Sequence, residues 1–241
     1  MFKHHGKSRT TKHNIRIATL LSLVAGMVNV AGFLAVHRLT TNVTGHFAFL
    51  IEEVNSLAFW NGMIYFLYIF FFFIGSFFSN IIVETVAKKS VRYSYTVPIL
   101  IESIILFSVA FQGAYLMEFY PNTLAFLLLF AMGLQNSLVT VISNSIVRTT
   151  HLTGLFTDLG IELSQLFFFK QRNQRKQLKA SIKLHVSIIG AFFTGGIVSG
   201  LLYGQIGIYV LAIAGLILVI GVSLSKARFY YLTAVRKVRR R

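Results

Sequence analysis

The sequence predicts an all-α membrane protein of six transmembrane helices, arranged as two inverted three-helix repeats, each with a re-entrant or interfacial half-helix. Three observations predict this class. Apolar residues fill 55% of the 241 positions and charged residues only 12%, with a mean hydropathy of +0.70. Several apolar runs match the roughly 30 Å hydrocarbon core of a bilayer. The basic residues alternate along the chain, and the motif TTxxTG occurs twice, as TTNVTG from Thr40 and TTHLTG from Thr149.

The spans fall at 15–36, 57–86, 97–117, 123–147, 184–204 and 206–225. The first follows a basic stretch and is too long for a signal-peptide core, so it is read as a retained span. The second is longer than a bilayer needs, and its start, with Trp60, suits the interface. The only two prolines, Pro98 and Pro121, open the third and fourth spans, where a missing N–H costs a helix least. The last two spans are separated by Tyr203, Gly204 and Gln205, which suggests a tight hairpin. These spans divide the chain into a basic tail (1–14), a first repeat (15–117), a second repeat (123–225) with a basic linker (170–183), and a second basic tail (226–241).

Lys and Arg occupy the N-terminal tail, the link after the second span, the link after the fourth, and the C-terminal tail. Of the 23, only Arg38 falls on the other set of links. The positive-inside rule then puts both termini of this multi-pass chain in the cytoplasm. The net charge of +16 therefore belongs to membrane topology and anionic lipid rather than nucleic acid, which would need the charges gathered on a soluble fold with stacking aromatics. Without cysteine there is no disulfide, thiolate metal site or catalytic thiol.

The repeat extends beyond TTxxTG. Gly26 pairs with Gly133, Asn29 with Asn136, Thr40 and Thr41 with Thr149 and Thr150, and Thr44 and Gly45 with Thr153 and Gly154. Further on, GSFFSN (75–80) resembles TGGIVSG (194–200), where small residues four apart let helices approach closely. Three spans per copy make the second enter the membrane from the opposite side, the arrangement found in secondary transporters. After each motif comes a stretch too short or too polar to span, His46 to Val54 and Leu155 to Phe169. Each suits a half-helix whose start is capped by Thr and whose N–H groups face a polar ligand, or a plain interfacial helix.

The blocks AGMVNVAGFL, TTNVTGHF, GLQN and RTTHLTGLFTDLG resemble the YoaK-like family, also called DUF1275 or UPF0700, of bacterial integral membrane proteins, over essentially the whole chain. The resemblance implies a membrane topology and no chemistry. This chain has Asn29 where the family usually has Asp, and His46 where it usually has Asn, which argues against proton or cation coupling at position 29.

Glu102 is the clearest ionisable residue within a span, suited to a proton relay, a cation contact or a structural hydrogen bond. Asn29, Asn136 and Gln135 suit either interhelical hydrogen bonding or a polar path. Ser137, Thr140, Ser143 and Asn144 share one side of the fourth span. Asp158 lies on the second half-helix one turn from Glu162, and Arg148 is a candidate partner. His46 and His151 lack any metal-ligand spacing. The reading is a transporter or channel-like permease for a small solute, with Asn29, Thr40, Thr41, Thr44, Gly45, Glu102, Gln135, Asn136, Thr149, Thr150, Thr153, Gly154 and Asp158 forming or bordering its path. It has no cofactor or metal, and is compatible with a homo-oligomer. The alternative is a scaffold or partner-binding subunit of a membrane complex. An enzyme is not expected, since HExxH, a Ser/His pair and paired catalytic carboxylates are all missing.

Overall fold

The computed structural model describes residues 11–90, 93–143, 149–169 and 171–238. They form eight α-helices: α1 (Thr11–Val36), α2 (Thr44–Asn55), α3 (Phe59–Ser90), α4 (Thr96–Phe119), α5 (Pro121–Ser143), α6 (Leu152–Phe168), α7 (Arg172–Ile206) and α8 (Val210–Val238). Five stretches are long and apolar enough to cross a membrane: Ile15–Val36, Phe59–Ser90, Thr96–Phe119, Pro121–Val141 and Arg172–Leu224. The last takes in α7 and the first part of α8.

Three boundaries differ from the sequence expectation. The linker at 170–183 is helical from Arg172 onward, because its Arg, Lys and Gln residues are good helix formers, and α7 therefore runs for 35 residues. The break between α7 and α8 is not at Tyr203 to Gln205, which stay helical. It falls at a short 3-10 turn, Gly207–Tyr209, where Gly207 takes φ +57° at no steric cost. Nor do α7 and α8 close as a hairpin on each other, since α7 packs mainly on α1 and α8 mainly on α4. In the C-terminal tail, the described backbone continues as helix to Val238.

Two crossings hold the bundle together, α1 with α7 and α3 with α5. Both are built on glycine. A Cβ on Gly26 would strike the backbone carbonyl of Phe192, and one on Gly195 would strike that of Leu23. At the other crossing, Gly133 meets the Phe72 carbonyl and Gly75 meets that of Phe130. Serine hydroxyls complete each contact: Ser199 Oγ donates to the Met27 carbonyl and Ser79 Oγ to the Leu134 carbonyl, both at 2.9 Å. Each residue of the first crossing stands at the repeat position of its counterpart in the second. Around them, Leu21, Val24, Val28, Leu106, Leu128, Leu138, Leu211 and Leu218 form a closed apolar core. The outward sides of α3 and α7 carry exposed apolar residues such as Phe70, Phe73, Phe77, Phe193 and Ile197, the distribution of a protein whose outer solvent is lipid.

The two short helices sit on the long ones, α2 on α3 and α6 on α7. With 12 residues α2 is about 18 Å long, and with 17 residues α6 is about 25 Å, both short of the hydrocarbon thickness. Left-handed residues shape the chain around α2. His37 (φ +52°) ends α1, and Leu57 (φ +58°) ends α2 in a Schellman motif, with Leu57 N–H bonded to the Val54 carbonyl and Ala58 N–H to the Glu53 carbonyl.

Candidate functional site

A cavity of about 430 Å³ opens where the two TTxxTG segments meet. Its walls come from four places in the chain. Thr41, Asn42, Val43 and Thr44 lead into α2; Phe72 and Ser76 come from α3; Asn136, Ser137, Thr140 and Val141 from α5; Thr150 and His151 lead into α6. The lining carries hydroxyls, amides, one imidazole and apolar surface, with no Lys, Arg, Asp or Glu among its residues.

Local hydrogen bonds explain why the motif folds this way. After α1 ends, the chain turns back so that Thr41 Oγ1 donates to Asn29 Oδ1 at 2.7 Å. Asn29 lies seven residues, about 10 Å, before the C-terminus of α1. Thr40, fully buried, donates to the Val28 carbonyl at 3.3 Å and lies against Gly32. The second copy repeats the arrangement: Asn136 Nδ2 donates to Thr150 Oγ1 at 2.7 Å, and Gln135 Nε2 donates to Thr149 Oγ1 and to the Leu21 carbonyl, each at 3.0 Å. The Gln135 bond to Leu21 ties α5 directly to α1.

The threonines do not cap their helices, contrary to the sequence reading. The N-cap positions are Val43 for α2 and His151 for α6, and neither makes a side-chain cap. The half-buried amides of Asn29 and Asn136 on the preceding helices engage the Thr41 and Thr150 hydroxyls instead. The first turns of α2 and α6 consequently keep N–H groups without intrahelical acceptors, at Thr44 to His46 and Leu152 to Gly154.

Each short helix is also pinned to its long partner. On α6, Glu162 accepts from Ser181 Oγ and contacts His185 Nδ1 at 2.8 Å. On α2, Glu53 accepts from Asn61 Nδ2 at 3.2 Å. Glu53 and Asn61 occupy the repeat positions of Glu162 and Ser181. His46, buried on α2, donates through Nε2 to the Leu39 carbonyl at 2.6 Å and packs against Tyr65 and Tyr68, while Tyr68 Oη donates to Asn122 Oδ1 at 2.6 Å.

Among the residues singled out from sequence, Thr41, Thr44, Asn136 and Thr150 line the cavity. Asn29, Thr40, Gln135 and Thr149 stand directly behind it. Gly45 fits against Leu39, and Gly154 against the His151 ring, too tightly for a side chain to be added without movement. Three expected residues are not brought to the lining. Thr153 and Asp158 point outward from α6, exposed. Glu102 is buried on α4, and both its carboxyl oxygens lack a partner among the described residues. Arg148, expected near Asp158, and the side chains of Ser143 and Asn144 lie outside the described residues.

Sequence reasoning missed Phe72 and Ser76. The available signal for Ser76 was the GSFFSN match, which was read as helix packing; Phe72 stands in an unbroken aromatic run whose periodicity favours no face. Among the described residues, no group of three or more His, Asp or Glu side chains could hold a metal ion.

A family model described as "Protein of unknown function (DUF1275)" matches residues 17–224. No curated protein and no solved structure matches the chain.

Proposed function

The chain belongs to the DUF1275 family, and for this member we propose a secondary transporter or channel-like permease that carries a small, uncharged, hydrogen-bonding solute. The observation that carries the reading is the single cavity shared by both TTxxTG segments. Six spans in two inverted repeats account for it: α1, α3 and α4 form one triplet that starts from the cytoplasmic side, and α5, α7 and α8 form a second that starts from the opposite side. Support comes from the matching glycine crossings and the matching Asn–Thr pairs.

On this reading α2 and α6 are re-entrant half-helices. Each TTxxTG segment folds back from one face to the middle of the membrane, and its half-helix returns to that same face. Irregular backbone at such depth is tolerated when it is buried in protein or lines a cavity, and the Asn–Thr pairs bury it here. Helix starts that converge near the midplane are the usual site of solute recognition in inverted-repeat transporters.

The lining chemistry sets the class of solute. A charged solute would lose its hydration without meeting an opposite charge, a cost of several kcal/mol. An uncharged solute finds donors at Asn42 and the first N–H groups of α2, hydroxyls at Thr44 and Ser137, and an apolar wall at Phe72 and Val141. The volume lies in the usual range for small-molecule sites.

Proteoliposome flux tests the proposal. Wild-type protein should accelerate exchange of at least one radiolabelled uncharged polar solute, and Ser137→Phe, which fills the cavity, should abolish that exchange while the protein still elutes as a folded species. No flux for any solute in a broad panel, together with recovery of one stoichiometric protein partner, would establish the scaffold reading instead.

A further inference from the structure

A second cavity, of about 650 Å³, lies away from the solute site along the outside of the α1–α7 pair. Arg16 and Thr19 stand toward one end of it; Leu20, Leu23, Val186 and Gly190 form its apolar length. The repeat-related α3–α5 crossing explains why it is open. The repeat places Ala191 over Phe71 and Thr19 over Phe126, and at the α3–α5 crossing those two phenylalanines stack face to face at 4.7 Å. Gly190 likewise takes the place of Phe70, which stacks on Phe66. The α3–α5 crossing is thus filled by its own aromatics, whereas the α1–α7 crossing leaves the same volume empty. A Cβ on Gly190 would meet nothing within 4 Å.

The groove has one charged end. Arg16 is exposed there, and among the described residues no carboxylate comes within ion-pair reach of it. Lys183 lies one helical turn before Ser187 on the same side of α7 and is also exposed. The hydroxyls of Thr19 and Ser187 are already bonded to the carbonyls of Ile15 and Lys183, at 2.7 Å each. Any recognition at this end therefore comes from the cationic side chains, and what remains is a hydrocarbon trough.

We propose that the α1–α7 groove is a binding site for one anionic phospholipid, with its headgroup at Arg16 and Lys183 and an acyl chain laid along Leu20, Leu23, Val186 and Gly190. Positive charge at the cytoplasmic end of a gap between spans is complementary to an acidic headgroup, and the trough gives the chain a seat that the α3–α5 crossing lacks. The site requires that the chain spans a membrane and is independent of solute transport.

Native mass spectrometry of the delipidated full-length protein tests it, with phosphatidylglycerol and phosphatidylcholine of identical chains added in turn. Wild type should retain one phosphatidylglycerol in preference to phosphatidylcholine. Arg16→Gln, a surface change, should lower phosphatidylglycerol occupancy about fivefold and leave phosphatidylcholine unchanged. Gly190→Phe should remove the retained lipid of both kinds. Equal retention of the two lipids by wild type, or wild-type retention by both variants, would overturn the proposal. So would a lipid-free dimer that Gly190→Phe dissociates, since a second copy of the chain would then be the occupant.

Discussion

Alanine at Gly26 should loosen the α1–α7 crossing by an amount its repeat partner reproduces. The added Cβ would stand 2.9 Å from the carbonyl carbon of Phe192 and nearer still to its oxygen. Comfortable contact needs about 3.5 Å or more, so the two backbones must part by roughly 1 Å along the crossing. Overpacking of this kind costs about 1–3 kcal/mol, which for a chain of this length lowers Tm by about 2–10 °C. Gly133→Ala presses on Phe72 in the same way, at 3.0 Å from its carbonyl carbon, and should match Gly26→Ala. The two together should add, because they act at different crossings. Gly26→Ala with Gly195→Ala should cost less than the sum, because one separation of α1 from α7 relieves both clashes. Fluorescence-monitored unfolding in detergent reads all of these, with Gly190→Ala as the open-space control. A Gly26→Ala shift no larger than that of Gly190→Ala would refute the reasoning.

Three further outcomes are expected. A double-mutant cycle between Asn136→Leu and Thr150→Val should give a coupling of about 0.6 kcal/mol in thermal stability, the usual weight of one interhelical hydrogen bond in a membrane protein; purely additive effects would mean the 2.7 Å bond contributes nothing. Leu57→Gly should stabilise the protein by about 1 kcal/mol, because glycine relieves the left-handed strain at φ +58°, and a loss of stability would show that its side chain holds α2 in place. Glu102→Leu should raise Tm, since it removes two buried oxygens without partners, at about 1–3 kcal/mol; loss of solute flux in that stabilised variant would assign Glu102 a functional part despite its distance from the cavity lining.

Much of the architecture was legible because it is written in residues with few substitutes. Only glycine permits the backbone contacts at Gly26, Gly133, Gly75 and Gly195, so the repeat keeps them, and the short helices α2 and α6 follow the two TTxxTG segments. Less legible were features decided by packing. The basic residues of 172–183 looked like a link, yet their helix propensity lets α7 begin there. The break before α8 was expected around Gly204, but it falls at Gly207, whose backbone angle turns the chain there. Phe72 is indistinguishable by sequence from its neighbours in the run 70–73. Glu102 stood out as a carboxylate in a span, but its helix turns it into the protein at a place where it meets neither the cavity nor a described partner.

Cavity and repeat together also change where topology should be probed. Thr44 lies in the cavity wall, so the far ends of the half-helices report the sides better: Ser56, exposed just after α2, and Ser164, exposed near the end of α6. The chain contains no cysteine, so single Ser56→Cys and Ser164→Cys variants can be labelled in intact cells and in inside-out vesicles with a membrane-impermeant maleimide. Two oppositely inserted halves around one solute cavity predict that Ser56→Cys labels only from outside and Ser164→Cys only from the cytoplasmic side. Labelling of both from the same side would contradict the account.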